Sequence, residues 1–263
     1  MEQQTADLVE AGAGPGVVLI HSSVAGAGQW RQIMAELSDR YHLIAVNLYG
    51  YGTTEPWDGP TDQTLDDQAR LLAGIMAEAE QPWSIVGHSF GGSVAMKLAA
   101  LFPDAVDRLV LIEPNPFYLL RLAGRYDAFH EAVTLRNCIK ENGRAGTWAA
   151  AAEVFADYWT GSGSWDAMSE DRRAKFTEAL KPNFHEWDAV MNETMTVDDW
   201  RRALPGDTTV ISAEDTVRSI AEIVDLLSTA CPGWRFEELP EGGHMAALTR
   251  PDLMIPNLVQ ALS

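Results

Sequence analysis

Short uninterrupted apolar runs alternate along the chain with longer stretches in which apolar residues recur every three or four positions. The runs are Val17-Val18-Leu19-Ile20, Leu43-Ile44-Ala45-Val46, Trp83-Ser84-Ile85-Val86, Leu109-Val110-Leu111-Ile112 and Thr208-Thr209-Val210-Ile211, with a weaker one at Trp234-Arg235-Phe236. Apolar runs without polar alternation predict strands covered on both faces, as in a parallel sheet. Residues 29–38, 64–80, 91–102 and 219–230 carry helical spacing between these runs. Strands and helices in alternation predict an α/β fold with a mostly parallel, doubly wound sheet.

The alternation stops between residues 116 and 204. No strand-like run occurs there, only helix-like pieces at 117–124, 147–159, 170–180 and 197–203. The 84 residues from Phe117 to Trp200 hold 13 of the 23 aromatic residues, more than a small helical layer must bury for itself. An inserted helical cap whose aromatic underside lines an apolar pocket is therefore expected over 116–204. Residues 1–115 and 205–263 would form the core.

At 263 residues, the chain is long enough for one large domain with a pocket inside it. Its 38 acidic residues against 19 Lys and Arg give a formal charge of −19. Phosphate backbones and anionic membrane surfaces call for clustered Lys and Arg, so neither nucleic acid nor membrane is expected as a partner. Residues 1–5 lack a basic start and an apolar stretch, which reads as no signal peptide and a cytoplasmic setting. Cys138 and Cys231 stand far apart in no motif and read as reduced thiols. The six histidines show no metal-ligand spacing. The glycine-rich Gly12-Ala13-Gly14-Pro15-Gly16 precedes a strand instead of following one, so it reads as a turn and not a dinucleotide fingerprint.

The most specific motif is Gly87-His88-Ser89-Phe90-Gly91-Gly92, placed between the run ending at Val86 and the helix-like 91–102. Strand, sharp turn and helix form the context of a G-x-S-x-G nucleophile elbow. Such a turn strains the backbone at Ser89, needs small residues beside it, and aims helix N-terminal amides at the serine. A serine hydroxyl needs a base. His244, in the loop Glu241-Gly242-Gly243-His244 near the end of the chain, is the last histidine and fits the order nucleophile, acid, histidine. Two carboxylates compete to orient it. Asp215 follows the run ending at Ile211, the commoner position, and Glu113 follows Leu111-Ile112; Glu214 is a weaker third. Two backbone N–H groups should hold a developing oxyanion, that of Phe90 and one from the loop after the first strong run, where Ser23 is expected to supply it.

Together these residues resemble the α/β-hydrolase superfamily. The resemblance spans nearly the whole chain and rests on His21-Ser22-Ser23, Asn47-Leu48-Tyr49-Gly50-Tyr51-Gly52, the elbow, and Gly243-His244 followed by Leu248-Thr249-Arg250-Pro251. It implies an eight-stranded, mostly parallel sheet, a Ser-His-acid triad, no cofactor, and a helical cap after strand six. Members carry the acid after strand seven or, in some lactone hydrolases and dehalogenases, after strand six, where Glu113 falls. Two positions depart from the family pattern: Ser22 stands for the usual glycine and Asn47 for the usual aspartate. A serine at position 89 disfavours the carboxylate-nucleophile chemistry of epoxide hydrolases and haloalkane dehalogenases.

The expected activity is hydrolysis of a neutral, apolar ester or lactone through an acyl-enzyme. The alternatives are non-ester chemistry on the same triad (C–C bond hydrolysis, cyanohydrin lysis or cofactor-free perhydrolysis) and ligand binding with a vestigial triad.

Overall fold

The computed structural model describes residues 5–77 and 82–263. They form a seven-stranded sheet: β1 (Asp7–Ala11), β2 (Gly16–Ile20), β3 (His42–Asn47), β4 (Trp83–His88), β5 (Val106–Ile112), β6 (Asp207–Ala213) and β7 (Arg235–Leu239). Their order across the sheet is β1-β3-β2-β4-β5-β6-β7, with β1 antiparallel to β3 and every other pair parallel. The count corrects the expected eight strands to seven among the described residues.

All six apolar runs lie in β2 to β7 or at their borders. In the five stronger runs the apolar residues are buried because helices cover both faces, whereas Arg235 in the weaker run is exposed on the edge strand β7; the core divides into one cluster on each side of the sheet. Helices Leu65–Leu71, Ala73–Ala77, Phe90–Leu101 and Arg218–Ala230 pack on one face; Arg31–Leu37 and Pro251–Leu262 pack on the other. Thr64 starts the first of these with a capping box, its hydroxyl accepting from Asp67 N–H while the Asp67 carboxylate takes Thr64 N–H. The predicted helix over 64–80 thus forms as two pieces, and its last three positions lie outside the described residues.

Between β5 and β6 the chain is helical: Tyr118–Leu122, Tyr126–Ala145, Trp148–Thr160, Glu170–Ala179, Asn183–Met191 and Val197–Ala203. The helix Tyr126–Ala145 has a core stripe at Ala128, Ala132, Leu135 and Ile139, a four-three-four spacing visible in the sequence. Asn183–Met191 follows Pro182 and buries a face at Asn183, Glu186, Trp187 and Val190 that mixes polar and apolar residues.

The passage from β4 into Phe90–Leu101 is the tightest place in the fold. Ser89 has φ 54° and ψ −117°, a conformation that costs a non-glycine residue about 1–3 kcal/mol. A Cβ on Gly91 would stand 2.4 Å from the carbonyl oxygens of Ile20 and His21, so the helix start lies directly against the end of β2. Gly91→Ala is expected to lose about 3 kcal/mol of stability, or to fail to accumulate, because the clash is with backbone. Gly28→Ala, at a position with nothing within 4 Å, serves as the control and should stay within about 0.5–1 kcal/mol. Urea unfolding of the two variants checks this; a wild-type midpoint for Gly91→Ala would contradict it.

Candidate active site

The candidate residues come from loops at the carboxyl ends of the parallel strands, the usual place for a site in such a sheet. Ser89 follows β4, Glu113 follows the neighbouring β5, and His244 lies in the loop after β7. Ser89 Oγ is 2.9 Å from His244 Nε2. His244 Nδ1 is 2.6 Å from Glu113 Oε2. A carboxylate oxygen accepts, so Nδ1 carries the proton and Nε2 is left to accept from the serine. Glu113 is buried and well satisfied: Oε1 accepts from Ala213 N–H at 2.8 Å and Oε2 from the Thr216 hydroxyl at 2.6 Å. The Trp159 ring stacks on the His244 imidazole, with centroids 4.0 Å apart.

Asp215 is elsewhere. Its exposed carboxylate accepts from Gly242 N–H at 3.3 Å and Gly243 N–H at 2.7 Å, holding the loop that carries His244 while leaving the ring to Glu113. Glu214 is exposed. The structure therefore brings Ser89, His244 and Glu113 together and leaves out the carboxylate expected at the commoner position. The reason is geometric: β5 lies beside β4, and a positive φ of 44° at Glu113 turns its side chain out of the strand direction.

Phe90 N–H is in the first turn of its helix, where no intrahelical acceptor exists. In the loop after β2, Ser22 N–H donates to Gln29 Oε1 and Val24 N–H to the Tyr51 hydroxyl, both at 2.9 Å. Ser23 lies between them. Both Ser23 and Phe90 line a cavity of about 570 Å³ together with Ser89 and His244. Its walls are mainly apolar, with Phe155, Trp159, Met168, Phe176, Trp187 and Val190 contributed by the segment between β5 and β6.

A second polar line was not foreseen. Both the N–H and the hydroxyl of Ser22 donate to Gln29 Oε1 at 2.9 Å. Gln29 Nε2 donates to His88 Nδ1 at 3.1 Å, and His88 Nε2 donates to the His244 carbonyl at 2.9 Å. The loop after β2 is thereby tied to the backbone of His244. The only local signal was a histidine next to the serine; its partners are remote in sequence. Asn47, at the usual aspartate position, accepts from Ala27 N–H at 2.7 Å and donates to Asp7 at 2.9 Å.

Two histidines here are buried and neutral. Burial lowers the His88 pKa to about 3, with the neighbouring His244 adding to it. Burial lowers that of His21 to about 4, against the opposing pull of the Ser22 carbonyl. Each already uses one ring nitrogen as acceptor, His88 from Gln29 and His21 from Leu48 N–H, so a second proton would break a bond. Among the described residues no group of three or more His, Cys, Asp or Glu side chains could hold a metal ion, and no helix is long and apolar enough to cross a membrane.

The sequence profile of the alpha/beta hydrolase family matches residues 17–256. The chain belongs to that family. It is similar to a Klebsiella pneumoniae protein provisionally named carbamate hydrolase RutD, with 27% identity over 243 residues, 90% of this chain and 87% of that one. It is 32% identical over 110 residues to the pimeloyl-[acyl-carrier protein] methyl ester esterase of Nitrosomonas europaea, covering 42% of this chain. The chain spans 41% of that esterase's length and 30% of an uncharacterized Mycobacterium tuberculosis relative. The enol-lactonase of Burkholderia xenovorans superposes with a TM-score of 0.73 over 98% of this chain and 96% of its own, at 18% identity, a likeness of fold.

The histidine assignment predicts a pH dependence of stability. Both folded-state pKa values lie below the ordinary value of 6.5. The stabilisation is complete above about pH 6.5 and is lost as pH falls toward the folded values, because the unfolded chain takes up protons that the folded one refuses. Each histidine contributes a loss of up to about 1.4 kcal/mol per pH unit in that window. Thermal midpoints should fall steadily from pH 6.5 to 4.5. In NMR spectra the His21 and His88 ring signals should stay neutral at pH 5; movement of either between pH 6 and 7 would overturn the assignment.

Proposed function

We propose that this chain is a serine hydrolase cleaving a neutral, apolar carboxylic ester or lactone through an acyl-enzyme. The observation that carries this reading is the unbroken line from Ser89 Oγ through His244 to Glu113, at 2.9 and 2.6 Å, with Ser89 and His244 lining the apolar cavity. Residues 116–204 act as a cap that shapes the cavity, over a core of residues 1–115 and 205–263.

In the first step Ser89 Oγ adds to the substrate carbonyl carbon while His244 Nε2 takes its proton. The carbonyl electrons move to oxygen, which the Ser23 and Phe90 N–H groups receive. Collapse of the tetrahedral adduct breaks the bond to the alkoxy oxygen, and His244 returns the proton to that leaving group. Water, deprotonated by His244, then adds to the acyl-enzyme and releases acid and Ser89. Glu113 holds the Nδ1–H tautomer and stabilises the imidazolium. Asp215 supports the loop that carries the ring. The aromatic and aliphatic walls favour an uncharged acyl group, and the relatives named as an esterase and an enol-lactonase agree with ester or lactone chemistry.

Proton release in a pH-stat, across open-chain esters, lactones and an amide, tests the proposal with Ser89→Ala as control. Release that disappears in the variant is expected; wild-type release by the variant would sink the mechanism. An aldehyde or ketone without new acid would indicate lyase chemistry instead. The acid is tested separately. Glu113→Gln should lose on the order of 10³–10⁴ in kcat, the loss seen when a serine-protease triad acid is amidated, while Asp215→Asn should stay within about tenfold. The reverse pattern would transfer the role to Asp215.

A further inference from the structure

One buried carboxylate at the cavity takes no part in the steps above. Glu186 comes from the helix Asn183–Met191, yet two of its three partners are in the loops after β2 and β3. The Ser23 hydroxyl donates to Glu186 Oε2 at 2.5 Å. The Tyr51 hydroxyl donates to Oε1 at 2.7 Å, and that same hydroxyl accepts Val24 N–H at 2.9 Å. Asn183 Nδ2 closes the group, donating to Glu186 Oε2 at 2.8 Å and Ser23 Oγ at 3.1 Å. A single carboxylate thus holds Ser23 directly and Val24 through Tyr51. Glu186 is 2% exposed, as enclosed as Ser89 at 4% and His244 at 3%.

This arrangement has a cost that an apolar contact would avoid. Burial pushes the Glu186 carboxyl above its ordinary pKa, against the three hydrogen bonds that favour its charged form. A buried carboxylate is tolerated when its partners are well aligned, and it then contributes specific geometry more than stability. The geometry fixed here is that of Val24, whose φ is 71°, and of Ser23 beside it. The Ser23 N–H is the donor assigned to the oxyanion, and a misplacement of about 1 Å in such a group can cost about 10² in rate.

We propose that Glu186 is the positioning residue of the oxyanion hole, its carboxylate aligning the Ser23 backbone N–H through the side chains of Ser23 and Tyr51. Because Glu186 belongs to the inserted helices, the hole is complete only while those helices are docked on the loop after β2. The inference rests on the acyl-enzyme reading and on the role given there to Ser23.

The test compares wild type, Glu186→Gln and Glu186→Ala as full chains. Two probes are matched in shape to the best ester of the panel: a trifluoromethyl ketone, and the corresponding secondary alcohol. Ser89 Oγ adds to the ketone carbon, its proton passes to His244, and the carbonyl oxygen becomes an oxyanion in the hole. The alcohol fills the cavity without reacting. Glu186→Ala is expected to lower kcat and ketone affinity together by about 10², with KM and alcohol affinity within a few-fold of wild type and Glu186→Gln between. Equal losses for ketone and alcohol, or an unchanged kcat, would overturn the proposal. If the Glu186 variants do not fold, Ser23→Ala removes the anchoring hydroxyl and keeps the backbone donor; it must give the same ketone-selective loss. Wild type binding the ketone no better than the alcohol, or Ser89→Ala binding it as well as wild type, would overturn the acyl-enzyme reading itself, and this inference with it.

Discussion

The close passage of the helix Phe90–Leu101 against the end of β2 governs everything at the carboxyl edge of the sheet. With Gly91 lying on the Ile20 and His21 carbonyls, the turn at Ser89 has no room to relax, and its φ of 54° follows. That contact brings the first helical amide, Phe90 N–H, beside the loop carrying Ser23. It also lets Ser89 N–H bond to the Ile112 carbonyl at 2.9 Å, linking the serine to the strand end that presents Glu113. Among the described residues the non-glycine positions with positive φ are Val24, Ser89 and Glu113, all at this edge. Backbone strain concentrated at one place and held by surrounding packing is the signature of a functional constraint, since a fold under no such demand would relax it.

Much of this was legible in the sequence because the signals are local. Runs such as Val17–Ile20 and Leu109–Ile112 can satisfy their surroundings only as doubly covered strands, and the elbow is a contiguous motif. What escaped depends on partners far apart in the chain. β1, Asp7–Ala11, is an exposed antiparallel edge strand, and nothing in Asp-Leu-Val-Glu-Ala marks it. Two helices between β5 and β6 lie outside the apolar pattern for different reasons: Tyr126–Ala145 has a readable stripe diluted by charged residues, whereas the buried face of Asn183–Met191 mixes polar Asn183 and Glu186 with Trp187 and Val190. The commoner position of the family's acid points to Asp215. That Glu113 and not Asp215 meets the His244 ring depends on strand adjacency and the turn at Glu113, both three-dimensional facts. The ties Gln29–His88 and Ser23–Glu186 span 59 and 163 residues, beyond any local pattern.

In the proposed mechanism the two carboxylates separate orientation from support. Glu113 is fixed from both sides by Ala213 N–H and Thr216, so its remaining acceptor capacity meets a ring that cannot choose another partner. Asp215 takes the amides of Gly242 and Gly243, whose φ values of 115° and 54° turn the loop so that His244 faces back over the sheet. Removing charge at the first position changes what the imidazole experiences; removing it at the second loosens a loop that His88 also holds through the His244 carbonyl.

The inserted helices reach this edge through contacts of two kinds. The Trp159 ring covers the imidazole, which needs only shape and a polarisable face. Glu186 grips the loop after β2 with directed hydrogen bonds, which need registry. An apolar lid resting on the site could slide at little energetic expense, because hydrophobic contact is non-directional. A buried carboxylate cannot, since leaving its donors unpaired is costly. The helices between β5 and β6 are therefore pinned at the loop beside the serine, and directed pairs hold them elsewhere too, Glu193 with Lys97 at 2.7 Å and Tyr158 with Ser219 at 2.7 Å.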